Sequence, residues 1–289
     1  MPELPDLQYI VRVLAPRIAG RRIAEVKVKE PVVLRMLLPD QGGFAGALTG
    51  RTFRGLERRG PFLRFDLDDR ELVIHCMLAG RLQISGRVEK QLPRTCFFLV
   101  LDDGARLSYA DEKRMGKVYL TASGVHDGIP GYREQGIDIL SPEFTFEAFD
   151  RLIQGRRHQA RVFLMDQTAL SAVGNAYADE ILFSAGIHPK TSCMSLSPEQ
   201  RRKLYDGIRQ VISWGIEEVE KAGQPIEVKV RDHVRVRGRK GEACSVCGTT
   251  IRRVGVLGYD SFYCPRCQPE TRKQPISWSK LNNDGGPNA

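Results

Sequence analysis

Four of the seven cysteines fall into two Cys-x-x-Cys pairs, Cys244 with Cys247 and Cys264 with Cys267, separated by sixteen residues. Each tight turn aims two thiolates at one point, and four sulfurs so spaced are the donor set of a tetrahedral Zn2+ ion. Cys247-Gly248 and Cys264-Pro265 supply turn chemistry around the pairs. Since the protein would provide all four ligands, no position is open to substrate, and the expected ion is a single structural zinc. Disulfides fit poorly. The other three cysteines, Cys76, Cys96 and Cys193, are odd in number and scattered through apolar surroundings, as buried thiols of a reducing compartment would be.

Charge is the second chemical signal. Lys and Arg total 44 against 35 Asp and Glu, a net charge of +9 over 289 residues. Between Val228 and Arg253 eight basic residues (Lys229, Arg231, Arg235, Arg237, Arg239, Lys240, Arg252, Arg253) face two acids, Asp232 and Glu242. Such a cluster can follow the phosphates that supply most nonspecific affinity for nucleic acid. No basic amphipathic helix accompanies it, which argues against a membrane surface. Apolar runs such as Leu72 to Ala79 are too short to span a bilayer, and the first twenty residues lack a secretory pattern. With 42% hydrophobic and 27% charged residues, the chain is ordinary globular material. A soluble cytoplasmic protein is expected.

The elements that must position these residues change character along the chain. Leu7, Ile10, Val11 and Leu14 predict an opening helix ending near Pro16. Strands are then expected at Ile23 to Val28, Phe62 to Leu67, Leu72 to Cys76, Thr95 to Leu101 and Lys117 to Leu120, with turns at Asp68-Asp69 and Asp102-Asp103-Gly104. Many short strands of this kind suggest a two-layer antiparallel β-sandwich. Past about residue 145 the period turns helical. One helix is marked by Phe146, Phe149, Leu152 and Ile153, a second by Val162 to Met165, and a third by Ala176 to Ala185, stopped by Gly186. A fourth is capped by Ser197, with Pro198 first, Gln200 completing a capping box, and Leu204, Ile208, Val211 and Ile212 on its apolar face. A basic, strand-prone stretch leads into the cysteines. The fold class is therefore α+β, divided as 1–140, 141–234 and 235–268, with a poorly ordered tail at 269–289.

Several segments carry a family resemblance. Pro2-Glu3-Leu4-Pro5, Val173-Gly174-Asn175-Ala176-Tyr177-Ala178-Asp179-Glu180, Gly186-Ile187-His188-Pro189 and Gly238-Arg239-Lys240-Gly241-Glu242 before Cys244 resemble the formamidopyrimidine-DNA glycosylase and endonuclease VIII family. Order and spacing agree over residues 1 to about 268. The resemblance implies an N-terminal β-sandwich, a helix-two-turn-helix domain and a zinc β-hairpin, with damaged DNA held between the halves. It implies a monomer without a small-molecule cofactor, associated with the nucleoid, acting in base-excision repair as a glycosylase and abasic-site lyase.

The implied chemistry is specific. Removal of Met1 would expose Pro2 as a secondary amine, and an α-amino group has a pKa near 8. Attack on C1′ displaces the base and leaves an iminium, an electron sink that acidifies C2′ and permits β-elimination. Glu3 could protonate the sugar ring oxygen and shuttle protons. From the two residues alone, Pro-Glu is an N-terminal cap for a helix opening at Asp6. Gly174-Asn175 precedes a helix whose free N–H groups favour phosphate, and the resemblance has Asn175 contact the phosphate beside the extruded nucleotide. Lys113, Arg114, Arg239, Lys240 and Tyr259 are the further expected DNA contacts. His188 is expected to be a structural helix-end residue, and Tyr177 and Trp214 to be core.

The chain also departs from the family pattern. Where the family places a DNA-contacting lysine after Arg58-Arg59-Gly60, this chain has Pro61, so that role is lost or moved to Arg58, Arg59 or Arg64. Tyr259 replaces a phosphate-gripping arginine and lacks its charge and fork. The family's Met, Arg and Phe that fill the hole left by a flipped base align with Leu78, Lys113 and Met115. Its early glutamate is Asp6. The leading function is a bifunctional glycosylase and lyase with altered lesion preference. The alternative is a noncatalytic or lyase-only DNA-damage binder on the same scaffold. A zinc-ribbon protein for RNA or protein partners would explain only the last fifty residues.

Overall fold

A computed structural model describes residues 1–39, 42–86 and 89–270 of the chain. The expected disorder of the 269–289 tail falls almost wholly outside those residues.

The first helix, α1 (Leu4–Ile18), buries Leu7, Leu14 and Ile18 completely, each contributing about 2 kcal/mol by its removal from water. It opens at Leu4 rather than Asp6, and it continues two residues past Pro16, whose fixed φ is helical. Glu3 is its N-cap, and the Glu3 N–H donates to Asp6 Oδ2 at 2.8 Å.

Among the described residues nine strands follow, with a short helix α2 (Gly43–Leu48) between the second and third. They are β1 (Ile23–Val28), β2 (Leu34–Met36), β3 (Phe53–Arg59), β4 (Phe62–Leu67), β5 (Arg70–His75), β6 (Gly80–Ser85), β7 (Thr95–Leu101), β8 (Arg106–Asp111) and β9 (Lys117–Ala122). They form a four-stranded sheet, β1-β7-β8-β6, and a five-stranded sheet, β2-β9-β5-β4-β3. This is the expected two-sheet architecture. All pairs are antiparallel except β2 with β9. Both Asp-rich turns join hairpins, β4–β5 and β7–β8. The patterning missed β2, β3, β6 and β8; in β6 and β8 polar residues point inward, with Gln83, Ser85 and Ser108 all buried, and in β3 only Phe53 and Leu56 are buried between polar neighbours.

Two turns bear on the site. Arg59 pairs with Phe62, so Gly60 and Pro61 alone make the β3–β4 turn. Gly60 lies at φ +53°, and Pro61 supplies the fixed negative φ that follows it in a II′ turn. Pro61 is buried there. In the other sheet, Gly80 on β6 opposes Asp111 on β8, so the loops carrying Leu78 and Lys113-Arg114-Met115 leave the same sheet end side by side.

The helical part consists of α3 (Phe146–Ile153), α4 (Ala160–Leu164), α5 (Asn175–Ala185) and α6 (Pro198–Ala222). Ser197 Oγ accepts the Gln200 N–H at 3.2 Å, and Gln200 Oε1 accepts the Ser197 N–H at 2.9 Å, closing the expected capping box. Gly186 and Gly223, at φ +68° and +57°, end α5 and α6 in the left-handed conformation. Helix α1 packs against both α6 and β3, joining the two halves through one core.

The basic stretch between α6 and the cysteines is irregular backbone, not strand. Its amides are satisfied by a side chain instead: Glu180 of α5 accepts from the N–H groups of Arg235, Val236 and Arg237, each at 2.9 Å. The last hairpin, β10 (Arg252–Val256) with β11 (Tyr259–Tyr263), is closed by Leu257 and Gly258. His188 is buried edge-on against Tyr263, a structural placement as expected. Tyr177 is fully buried. Trp214, half-buried, packs against the edge of the main core, meets the His233 ring edge at 5.0 Å, and lies under the Arg235 guanidinium.

Candidate DNA-processing site

The Glu3 carboxylate crosses from the start of α1 to the start of α5. It accepts N–H bonds from Gly174 at 3.1 Å, Ala176 at 3.0 Å and Tyr177 at 3.0 Å. A carboxylate at a helix N-terminus is favoured by the dipole and by otherwise orphaned amides. This overturns the expectation that those amides are free for phosphate, because Glu3 already occupies them. The fit is close at Gly174, where a side chain would overlap the Glu3 carboxyl. Burial pushes the Glu3 carboxyl above its ordinary range, against the pull of Arg231 and the amides. A raised carboxyl is a better proton donor than an ordinary one.

Asn175, half-buried, keeps its side chain at that same helix start. Its Oδ1 accepts from Arg161 Nη2 at 2.6 Å, which leaves the amide NH2 as the end available to a ligand. Arg161 went unnoticed in the sequence. It is buried on α4, donates through Nε to Asp179 Oδ1 at 3.1 Å, and shares Asp260 O with Arg237. Asp179 also accepts from Ser261 Oγ and Arg237. Asn175 and the zinc hairpin are thus tied to one buried ion-pair network. No local signal reveals such a pair, because its partners lie up to 99 positions apart.

At the amino terminus, Pro2 is buried. The Met1 amine donates to Leu78 O at 3.1 Å, so the Leu78 loop closes directly over the terminus. Leu78 and Met115 are exposed, at 49% and 41%. Their loops contain non-glycine residues in the left-handed region, Met77 at φ +47° and Arg114 at φ +54°. Each such residue costs about 1 kcal/mol, a strain that marks functional loops. Fully buried Asp111 holds one loop by accepting from Lys113 N and Gly116 N at 3.0 and 2.6 Å. The Met77 N–H donates to His75 Nδ1 at 3.0 Å and holds the other.

The remaining candidates divide. Lys113 and Lys240 are exposed, and Tyr259 lies at the hairpin tip with 56% exposure. Arg114 pairs with Glu30. Arg239 donates to Val234 O, Asp232 O and Glu242, so it braces its own turn. The three arginines considered as replacements for the missing lysine are all engaged within the protein. Arg58 pairs with Asp138 at 2.5 Å, Arg59 binds Tyr132 O at 2.9 Å, and Arg64 pairs with Glu57, Asp66 and Glu71.

The four cysteine sulfurs lie within 4.8 Å of one another, with Cys247 Sγ 3.4 Å from Cys264 Sγ and 3.5 Å from Cys267 Sγ. Zinc–sulfur bonds of about 2.3 Å in a tetrahedron place sulfurs about 3.8 Å apart, so the cluster fits one zinc ion. Cys244 and Cys264 are buried in the small core beneath the hairpin. Cys76, Cys96 and Cys193 are buried free thiols, as expected, and burial raises all three, Cys76 to about 12.

Comparison with known proteins agrees with this geometry. Residues 1–118 match the family model of the formamidopyrimidine-DNA glycosylase N-terminal domain, 135–225 that of its H2TH domain, and 241–269 a zinc finger found in FPG and IleRS. The chain is 38% identical over 276 residues to a formamidopyrimidine-DNA glycosylase of Symbiobacterium thermophilum, covering 93% of this chain and 90% of that one. It is 35% identical over 277 residues to one from Geobacillus kaustophilus, covering 93% and 100%. Among solved structures, the Fpg of Lactococcus lactis in complex with abasic-site DNA superimposes with a TM-score of 0.82 at 26% identity, over 93% of this chain and all of that one. The Fpg of Thermus thermophilus does so with 0.81 at 30%, over 94% and all of that chain. A buried N-terminal proline and glutamate, a capped helix bearing Asn175 and a four-cysteine hairpin thus occur together in a chain that belongs to the formamidopyrimidine-DNA glycosylase family.

Proposed function

We propose that Pro2 is the nucleophile of this DNA glycosylase of base-excision repair, and that the same covalent intermediate serves its abasic-site lyase activity. The Pro2 nitrogen forms a bond to C1′ as the bond from C1′ to the damaged base breaks, and the base leaves with a proton. Glu3 protonates the ring oxygen, the ring opens, and an iminium remains. Loss of the C2′ proton then expels the 3′ phosphate by β-elimination. The observation that carries this reading is the Glu3 carboxylate on the N-terminus of α5, which joins the amine, an acid and Asn175 in one place.

Asn175 and Lys113 grip the phosphates flanking the extruded nucleotide, with Arg114, Arg239, Lys240 and Tyr259 along the same backbone. Leu78, Lys113 and Met115 fill the vacated space, supported by the exposure of Leu78 and Met115 on adjoining strained loops. Cys244, Cys247, Cys264 and Cys267 would hold the zinc, which supplies a rigid base for the hairpin and no step of the reaction. The working units are 1–140, 141–234 and 235–268. The protein acts as a monomer in the cytoplasm without a small-molecule cofactor. No helix among the described residues is long and apolar enough to cross a membrane.

Hydride trapping on an oligonucleotide with one abasic site tests the nucleophile, with the mature terminus checked by intact mass. A covalent adduct that disappears in Pro2→Gly is the expected result. If a protein starting at Pro2 binds that DNA but forms no adduct, it is a DNA-damage binder and not a lyase.

A further inference from the structure

The positive charge that Pro61 does not supply is present beside the amino terminus, from a different part of the chain. Lys229 lies in the irregular segment after α6, 151 positions from Leu78, yet its Nζ donates to Leu78 O at 3.3 Å. The terminal amine donates to that same oxygen at 3.1 Å. One carbonyl therefore holds an ammonium and the chain's amino group side by side. Removal of Met1 moves the terminus along by one residue, about 3.8 Å, which remains within reach of a flexible four-carbon lysine stem.

The charged and titratable groups facing this point come from three elements. Helix α1 contributes Glu3 and Asp6, β5 and its end contribute His75 and Cys76, and the segment after α6 contributes Lys229 and Arg231. Arg231 is spent on Asp6 through a two-bond fork, and the Glu3 carboxylate is held by three amides. Half-buried His75 is held neutral at ordinary pH, because partial burial lowers it to about 4. Lys229 forms no ion pair among the described residues, so its charge acts on the amine directly, against the weaker opposing pull of Glu3 and Asp6.

We infer that Lys229 is a positioning residue for the nucleophile: its ammonium, docked on the Leu78 carbonyl, disfavours protonation of the neighbouring amine and so keeps the Pro2 lone pair available for attack. The inference rests on Pro2 being the nucleophile. A secondary amine attacks only when unprotonated, and a like charge beside it favours that form. The field at the Met1 amine, which occupies this point in the chain before Met1 is removed, agrees: burial first, and then Lys229, lower that amine to about 6.

The test is the pH dependence of cyanoborohydride trapping on abasic-site DNA, with protein saturating so that affinity does not enter. Wild type, Lys229→Met and Lys229→Arg are compared, each confirmed by mass to begin at Pro2. The Met variant is expected to shift the acid limb upward by about one unit. That is a roughly fivefold slower reaction at about pH 6, tending to about tenfold at about pH 5, that converges on wild type at about pH 9, since one unit of pKa is a factor of ten. The Arg variant is expected to restore the wild-type profile. Superimposable profiles for wild type and Lys229→Met would overturn the inference. So would a loss in Lys229→Met that is equal at every pH, which would place the lysine on the DNA rather than on the amine. A wild type that traps at no pH would overturn the Pro2 reading itself, a result distinct from the other two.

Discussion

Asp6 and Arg231 stand 225 positions apart and meet through a two-pronged fork, Nη1 to Oδ1 at 2.8 Å and Nη2 to Oδ2 at 2.6 Å. Asp6 Oδ2 also accepts the Glu3 N–H, so the fork fixes the backbone that carries Glu3 next to Pro2. The shorter acid at position 6 reaches its partner because the segment after α6 lies directly across α1.

Arg231→Met should therefore do two things. It strands a largely buried carboxylate, at a stability cost of about 3 kcal/mol, and it loosens the terminus. A lower urea midpoint with reduced trapping yield is expected, with partial recovery of the midpoint in the Asp6→Asn/Arg231→Met double variant. Unchanged stability in the single variant would exclude the fork as a structural tie.

Glu3→Gln removes one of two acceptor oxygens and turns an NH2 toward amides that need an acceptor, which costs about 2 kcal/mol. It also removes the acid. Base release should fall by a factor of about a hundred or more, while binding to abasic-site DNA persists. Single-turnover base release and a binding titration measure the two separately, and full base release in Glu3→Gln would sink the proposed role.

Cys264→Ser should lose zinc and DNA binding together, because the hairpin core is built around the four sulfurs. Metal content by mass spectrometry and a DNA titration are the checks. Normal DNA binding in a metal-free variant would refute the coupling.

His75 ties the Leu78 loop and is lowered by burial from 6.5 to about 4. Its neutral form is the native one, so the unfolded chain binds the extra proton as pH falls. Stability from this group is complete above about pH 6.5, is lost progressively down to about pH 4, and then changes no further, for at most about 3 kcal/mol. Urea midpoints across this range should decline less steeply in His75→Gln than in wild type.

Asn175→Ala should weaken binding to damaged DNA by about 1 kcal/mol or more through loss of one side-chain hydrogen bond to phosphate. Arg161→Met should weaken it as well, because Asn175 loses the partner that turns its amide outward. Binding titrations of both single variants and the double variant are the measure. Additive losses would show that the two residues act independently, contrary to this geometry.

The sequence by itself determined the features whose physics is local. Apolar runs and turn residues placed β1, β4 and β7 to the residue, Ser197-Pro198 with Gln200 started α6, and two Cys-x-x-Cys pairs formed a zinc site. The motifs around Pro2, Asn175 and the cysteines identified the family for the same reason: their residues are neighbours in the chain. Tertiary structure alone decided which partners satisfy the polar groups. It placed Glu3 on the amides of α5, Asp6 on Arg231, Arg161 between Asn175 and Asp179, and Lys229 beside the amino terminus. It also spent Arg58, Arg59 and Arg64 in internal contacts and turned the basic stretch before the cysteines into loop. A buried charge must find its counterpart wherever the fold brings one, and that choice leaves no period or spacing in the chain.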